Sequence, residues 1–480
     1  LPDTSFGINQ GQEYKYITGL EQAMSQQSIN RRNFLKGAGA IALGVGLGAG
    51  GYQIRRYLNK PNIVLIMADD LGYECLGSYG GTSYETPHLD RLAEEGMRFE
   101  HCYSQPLCTP SRVELMTGMY NVRNYERFNV LNKNQTTFGN IFQNNGYSTC
   151  ISGKWQLTPR GIDRTESPEL FGFDEYCLWA YDKDGRKSPR PKYKNPVLII
   201  NGRKLAFKNN LYGPDVVSEY ILRFMERHKY QPFLAYYPMI LPHKPDMPTP
   251  DSGPVYYEQL DKKGNDKYFP DMVKYADKLV GKIIARLDEL NIREKTLVIF
   301  TGDNGTQRGL ASKINGKIVK GGKGMPTDAG TRVPLIASWP GVIAPGTVNS
   351  ELIDFSDFLP TMCECAEIEI PKALPIDGKS FMPMLRGDEQ KVREWVYSWY
   401  QTVPGAHYNG EIFIYARNKR YKLYDDGRFF DIANDVLEEN PVDISRLDEE
   451  AMKTRNSLQK VLDYYQEVDS QSDRGLWDSL

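Results

Sequence analysis

The chain has 480 residues, with 59 Lys and Arg against 61 Asp and Glu, a formal net charge of −2 and seven cysteines that lack metal-finger spacing. So even a balance argues against a nucleic-acid binder, which carries a strongly basic face, and leaves any affinity for an anion to a local pocket. The length allows a large core and two domains.

Near the N-terminus, Arg31-Arg32-Asn33-Phe34-Leu35-Lys36 precedes a Gly/Ala-rich apolar run from Gly37 to about Gly51. That run is shorter and less apolar than the ~20 residues a membrane span needs. It reads as a twin-arginine export signal, so residues 1–58 are set aside as a leader. Export by that route implies a periplasmic or extracellular protein with no stable membrane span.

Asn62 to Ala68 (NIVLIMA) is an unbroken apolar run, the pattern of a strand buried on both faces of a parallel sheet. It ends in Asp69-Asp70, at the carboxyl edge where open α/β sheets place ligands. Thr86-Pro87 opens a helix that runs through Glu95 and stops at Gly96. Cys108-Thr109-Pro110-Ser111-Arg112 then sets a thiol at the start of another helix, with Pro110 in the first turn and Gly118 as the stop. Backbone donors and the positive end of the helix dipole there favour an anionic oxygen or sulfur.

A helix over about 136–145 leads into a strand, Tyr147 to Ser152, with Lys154 just beyond it. From Gly161 to about Pro214 the composition predicts irregular surface insertions. Helical spacing returns from Asp215 to Lys229, and a strand from Pro232 to Met239 delivers His243 to a loop stiffened by Pro242 and Pro245. A long helix, about Asp271 to Leu290, feeds a strand, Thr296 to Thr301, that ends in Gly302-Asp303-Asn304-Gly305. Alternation of this kind predicts a doubly wound, mostly parallel α/β sheet with helices on both faces over 59–370.

A helix from Asp357 to Ala366 carries Cys363 and Cys365, which do not share a helix face and read as packing residues. Beyond about Pro371 short aromatic strands follow, with a hairpin turn at Asp425-Asp426-Gly427 and a closing helix of roughly 445–468. Residues 371–480 are thus expected to form a smaller antiparallel sheet with a helix.

The string PLCTPSRVELMTG, Pro106 to Gly118, resembles the signature of type I sulfatases, in the alkaline phosphatase-like superfamily, whose CxPSR cysteine is oxidised to Cα-formylglycine. GTRVPLIASWPG (330–341) and RFFDIANDVLEENPV (428–442) are similar to other segments of that family, so the resemblance spans most of the chain from Pro61. It implies a sulfuric ester hydrolase in which residue 108, hydrated to a gem-diol, attacks sulfur with one hydroxyl and ejects sulfate with the other. A plain serine has no such exit from its sulfate ester. Asp69, Asp70, Asp303 and Asn304, with residue 108, correspond to the ligands of a divalent cation, and oxygen donors of this kind suit Ca²⁺ ahead of Mg²⁺. Lys154, Lys323 and His243 match the groups expected at sulfate or at the leaving oxygen, and Arg112 would hold residue 108.

Sulfatases commonly read GKWHLG, whereas Gln156 stands here in the histidine's place. Glutamine donates a hydrogen bond to a substrate but cannot exchange a proton. The resemblance also implies a formylglycine-generating maturation enzyme as a partner, and a sulfated small molecule or glycan as substrate. Two alternatives stay open: a formylglycine-dependent phosphonate monoester or phosphodiester hydrolase, and a non-catalytic sulfated-glycan binder with Cys108 unmodified.

Overall fold

A computed structural model describes residues 57–158, 167–180, 191–254, 264–388, 392–401 and 412–471. The twin-arginine segment lies outside the described residues. Strands β1 (Asn62–Ala68), β2 (Met97–Tyr103), β3 (Ser148–Gly153) and β4 (Glu175–Trp179) form one sheet with β5 (Val197–Ile200), β6 (Arg203–Ala206) and β7 (Phe233–Pro238). The same sheet includes β8 (Thr296–Gly302); β9 (Ala311–Ile314) and β10 (Lys317–Lys320) pair separately as a hairpin. With β11 (Arg332–Ser338) and β12 (Thr347–Asp354) the central sheet has ten strands in the order β12-β2-β11-β8-β1-β7-β3-β4-β5-β6.

Its middle, β8-β1-β7-β3-β4, is parallel throughout. This is the mostly parallel architecture that the strand–helix alternation predicts. β1 is buried along its whole length because both faces are covered. Ile63, Leu65 and Met67 face α2 (Cys108–Thr117), α3 (Phe138–Asn144) and α6 (Phe358–Cys365). Val64, Ile66 and Ala68 face α1 (Pro87–Glu94), α4 (Gly213–His228) and α5 (Phe269–Glu289).

Strands β13 (Val396–Gln401), β14 (Ile412–Arg417), β15 (Tyr421–Tyr424) and β16 (Phe429–Asp431) form the antiparallel C-terminal sheet, and α7 (Glu449–Ser470) packs on it. Its residues Tyr397, Trp399, Leu423, Phe429, Leu458 and Tyr465 belong to the same apolar cluster as α2 and one face of β1. The layer therefore rests on the CTPSR helix. Ser398 Oγ donates to Gln105 (2.8 Å), which in turn donates to the buried Glu114 of α2 (2.7 Å).

Of the stretch expected to be irregular, 161–214, residues 161–166 and 181–190 lie outside the described residues, and the rest is corrected by β4, β5 and β6, which extend the sheet at one edge. A turn at Asn201-Gly202, both at positive φ, closes the β5–β6 hairpin, and β6 is a largely exposed edge strand carrying Arg203 and Lys204. The strands β2, β12 and the β9–β10 hairpin are further additions that periodicity did not reveal.

Candidate active site

Parallel pairing brings four strand ends to one edge. In register, Ala68 of β1 lies opposite Gly302 of β8, so Asp69-Asp70 and Asp303-Asn304 emerge side by side. Asp303 N–H donates to the Ala68 carbonyl (2.9 Å), Asp69 N–H to Leu241 (2.9 Å), and Lys154 N–H to Pro238 (2.7 Å). These bonds knit the loops after β1, β3, β7 and β8 into one floor. Gly153 makes that possible: its φ is 133°, and a Cβ there would sit 1.9 Å from the Pro238 carbonyl oxygen.

Cys108 is the first residue of α2, buried, with its Sγ 3.6 Å from Asp69 Oδ1 and 3.8 Å from Asp70 Oδ1. Gly118, at φ 68°, ends the helix as expected. The thiol is not the stabilised anion expected at a helix start. Burial first, then the Asp303 carboxylate, push it up to about 12, against the pull of Lys154 and Lys323.

Around it, three acids meet three bases. Lys154 Nζ donates to both oxygens of Asp69 (2.7 and 2.8 Å), and Lys323 Nζ lies 2.6 Å from Asp70 Oδ1. Arg112 Nη2 donates to Asp303 Oδ2 (2.8 Å) and its Nη1 to the Lys154 carbonyl (3.1 Å). Burial works against the charges of Lys154 and Lys323, yet Asp69 and Asp70 respectively hold them above the ordinary lysine value. Burial raises the Asp69 carboxyl despite Lys154.

Asp70 adopts φ 67°, its N–H donating to Asp303 Oδ1 (2.9 Å), while Asn304 Nδ2 donates to Asp70 Oδ1 (2.9 Å). Asn304 Oδ1 is buried with no partner. Ligand atoms of Asp69, Asp70, Cys108 and His243 all fall within 4.8 Å of one another. That group holds two carboxylates, and Asp303 and Asn304, each bonded to Asp70, add a third carboxylate and an unpartnered amide oxygen beside it, a donor set of the kind that suits a hard divalent cation.

Lys323 and Gln156 are both buried. Lys323 is held by a bond from its N–H to the Thr306 carbonyl (3.0 Å) and by Arg308, whose Nε donates to its carbonyl (2.9 Å). Gln156 sits at φ 50° with its Oε1 buried and without a partner, and Thr109 donates to its carbonyl (3.5 Å).

His243 Nε2 is 4.0 Å from Asp70 Oδ2, so the imidazole edge faces the acidic floor. Burial, then Lys192, Lys154 and Lys323, hold its pKa well below the usual histidine value.

Sequence reasoning missed Lys192. It is buried, 5.1 Å from the centre of the Trp179 ring and 4.8 Å from that of Tyr193, and its Nζ is 2.7 Å from His243 Nδ1. Burial pulls its pKa down to about 7, Asp69 and Asp70 opposing and Lys154 and Lys323 assisting. Nothing in the local pattern separates it from its neighbour Lys194; only the packing of β4 and the segment before β5 buries one and not the other.

The family model described as Sulfatase matches residues 61–368, and that of the N-sulphoglucosamine sulphohydrolase C-terminal region matches 323–467. A twin-arginine signal model matches 28–48, in keeping with export, and no helix among the described residues is long and apolar enough to cross a membrane. Arylsulfatase A of Bos taurus is 32% identical over 393 residues, covering 76% of this chain and 73% of that protein. N-acetylgalactosamine-6-sulfatase of Canis lupus familiaris is 32% identical over 417 residues, covering 79% and 73%. Among solved structures, Ps i-CgsB superposes with a TM-score of 0.71 at 25% identity, over 86% of this chain and 94% of that one. With the fold, the acid–base floor and these relatives in agreement, the chain belongs to the sulfatase family, of the formylglycine type within the alkaline phosphatase-like superfamily, and is a sulfate ester hydrolase.

Proposed function

We propose that this sulfatase removes sulfate from a sulfated carbohydrate, using residue 108 matured to formylglycine and a divalent cation, Ca²⁺ ahead of Mg²⁺. The reading is carried by one observation: Asp69, Asp70, Asp303, Lys154, Lys323 and Arg112 all converge on Cys108 at the carboxyl edge of the sheet. A maturation enzyme would act before folding closes, since Cys108 is only 1% exposed in the folded chain. The proposal includes a leader of 1–58, a catalytic part of 59–370 and a C-terminal part of 371–480, with the mature protein periplasmic or extracellular.

In this reading Asp69, Asp70, Asp303 and the Asn304 Oδ1 would hold the cation, whose chemistry would be to offset sulfuryl charge and to make the hydroxyl at residue 108 more acidic. Arg112, fixed between Asp303 and the Lys154 carbonyl, orients residue 108. Lys154 and Lys323 turn from their aspartates to the sulfuryl oxygens once those aspartates are otherwise compensated. Gln156 Oε1 accepts a hydroxyl or amide donor of the substrate, the class of partner a sugar provides.

Support for a sugar comes from N-acetylgalactosamine-6-sulfatase and from Ps i-CgsB, which has been seen in complex with k-i-k-neocarrahexaose. The test is mass spectrometry of the peptide spanning residue 108 from a host with the maturation machinery, followed by paired assays on sulfated sugars, an aryl sulfate and a phosphonate monoester. Formylglycine and sulfate release from a sugar are expected. An unmodified thiol with binding but no turnover, or preference for the phosphonate ester, would overturn the proposal.

A further inference from the structure

From Asn304 to Thr327 the chain carries Arg308, Lys313, Lys317, Lys320 and Lys323 and no Asp or Glu, although the whole sequence has 59 Lys and Arg against 61 Asp and Glu. A segment of average make-up would mix the two signs. This one folds into the β9–β10 hairpin, closed by a turn at Asn315-Gly316 with φ of 48° and 77°, and returns directly to Lys323. Lys320 precedes Lys323 by three positions, so their Cα atoms are at most ~11 Å apart.

The hairpin is tied down. Thr82 N–H donates to the Lys313 carbonyl (2.8 Å), Lys313 N–H to Ser83 Oγ (2.8 Å) and Asn315 N–H to the Gly80 carbonyl (3.0 Å). Ser312 and Ile314 are buried on one face. On the other, Lys313 lies opposite Ile318 and Ala311 opposite Lys320, and all four are exposed. A depression of about 390 Å³ adjoins them, its lining including Arg308, Leu310, Lys320, Gly321 and Met325. Gly321 and Met325 stand two residues either side of Lys323, so the depression borders the segment that carries that lysine. Arg308 fixes this segment by donating to the carbonyls of Lys323 (2.9 Å) and Gly324 (3.1 Å). Gly324 N–H in turn donates to the Pro106 carbonyl (2.9 Å), two residues before Cys108.

Among the described residues no carboxylate pairs with the ammonium group of Lys313, Lys317 or Lys320. The acids of adjoining segments are engaged elsewhere: Glu85 with Lys274, Asp246 with Gln307, and Asp328 with Arg417 and Arg332. Lysines on a free edge such as β10 also deter pairing with another chain. That role accounts neither for Lys313, on the strand between β10 and residues 80–83, nor for the lack of any acid.

We infer that this face of the hairpin is a second anion subsite, holding sulfate groups on sugars next to the one that loses its sulfate, so that the substrate is a multiply sulfated polysaccharide. The inference rests on the carbohydrate reading of the site. Lys313 and Lys320 supply the charge. Leu310, Ile318 and Met325 supply apolar surface for the C–H faces of sugar rings. One exposed lysine contributes little by itself. A chain already anchored by the sulfate at Lys323 presents its other sulfates at high effective concentration, and several weak contacts then add up.

The test uses the full chain with the encoded thiol at 108, so that binding is read without turnover, and dextran sulfate as the probe. Binding is expected. Lys313→Gln with Lys320→Gln should weaken it at least about tenfold and lower the slope of log K against log salt by about 1 to 2. Lys453→Gln with Lys460→Gln removes the same charge from exposed positions on α7 and is expected to bind as the wild type does. Equal weakening in the two double variants would leave net charge as the cause and overturn the subsite. Binding to phosphatidylglycerol vesicles that the hairpin variant loses, with dextran sulfate binding unchanged, would assign the face to a lipid surface and overturn it too. In matured protein, the ratio of kcat/KM for a multiply sulfated oligosaccharide to that for its singly sulfated counterpart should fall about tenfold in the hairpin variant. An unchanged ratio overturns the subsite. If the matured wild type turns over no sulfated sugar, the carbohydrate reading fails, while selective loss of dextran sulfate binding in the hairpin variant still establishes the anion site. Turnover of sulfated sugars without that loss overturns the subsite alone.

Discussion

Arg112 and Asp303 meet 2.8 Å apart with side chains that are 1% and 0% exposed, joining the CTPSR helix to the end of β8. Neither charge has water to fall back on. Removing the arginine alone strands a carboxylate, and breaking a buried pair from one side costs about 3–5 kcal/mol. Arg112→Met is therefore expected to lower stability by that much in denaturant unfolding, and Arg112→Met with Asp303→Asn by clearly less. A double variant as unstable as the single would show that the pair is not what joins the two elements.

Gly153 supplies a second test. Its φ of 133° and the 1.9 Å approach of any Cβ to Pro238 leave no room for alanine. Backbone strain of this kind costs ~1–3 kcal/mol before the clash is counted, and the relief has to come from moving Lys154. Gly153→Ala is expected to lose at least tenfold in kcat while remaining folded, read by steady-state kinetics beside a thermal melt.

Chelation should act on the floor of the site. Exhaustive treatment with a chelator is expected to abolish sulfate release and lower the melting temperature, and Ca²⁺ to restore both. Asp303→Ala should lose activity that added Ca²⁺ does not recover. If neither treatment changes the rate, the cation has no part in the reaction.

A pH test can be placed away from the site. Asp328 lies between Arg417 of β14 and Arg332 of β11. Burial would raise its pKa, but Arg417, Arg332 and Lys422 together hold it below the usual carboxylate range. A depressed folded value means the stabilisation is complete above the unfolded value of about 3.9 and is lost as pH falls through the folded one. Asp328→Asn should accordingly be less stable than the wild type at pH 7, with the gap closing in acid below the unfolded value. A gap that is independent of pH would assign the loss to packing.

Much of this was legible in the chain itself. β1 announces its burial by six consecutive apolar residues, Ile63 to Ala68, and the pairs Asp69-Asp70 and Asp303-Asn304 follow the ends of β1 and β8, so local pattern marked the residues that the sheet brings together. The edge strands β5 and β6 were hidden because Arg203 and Lys204 face solvent and only one strand of the hairpin, Val197–Ile200, is buried. The upward push on the Cys108 thiol is not legible in the chain, because a helix start favours an anion, while desolvation and Asp303, both tertiary, act the other way. Lys192 is the deepest omission, since a lysine near aromatic residues in sequence looks like any other until Trp179 and His243 are brought to it.

The matching of Asp69, Asp70 and Asp303 against Lys154, Lys323 and Arg112 has a thermodynamic corollary. The six side chains sum to zero, so a dication entering by itself, or a sulfate dianion entering by itself, leaves two unbalanced charges in a place with almost no water. Arriving together they leave the sum unchanged. Occupancy by one must then favour occupancy by the other, and by reciprocity the factor by which the metal sharpens the grip on product sulfate is the factor by which sulfate delays escape of the metal.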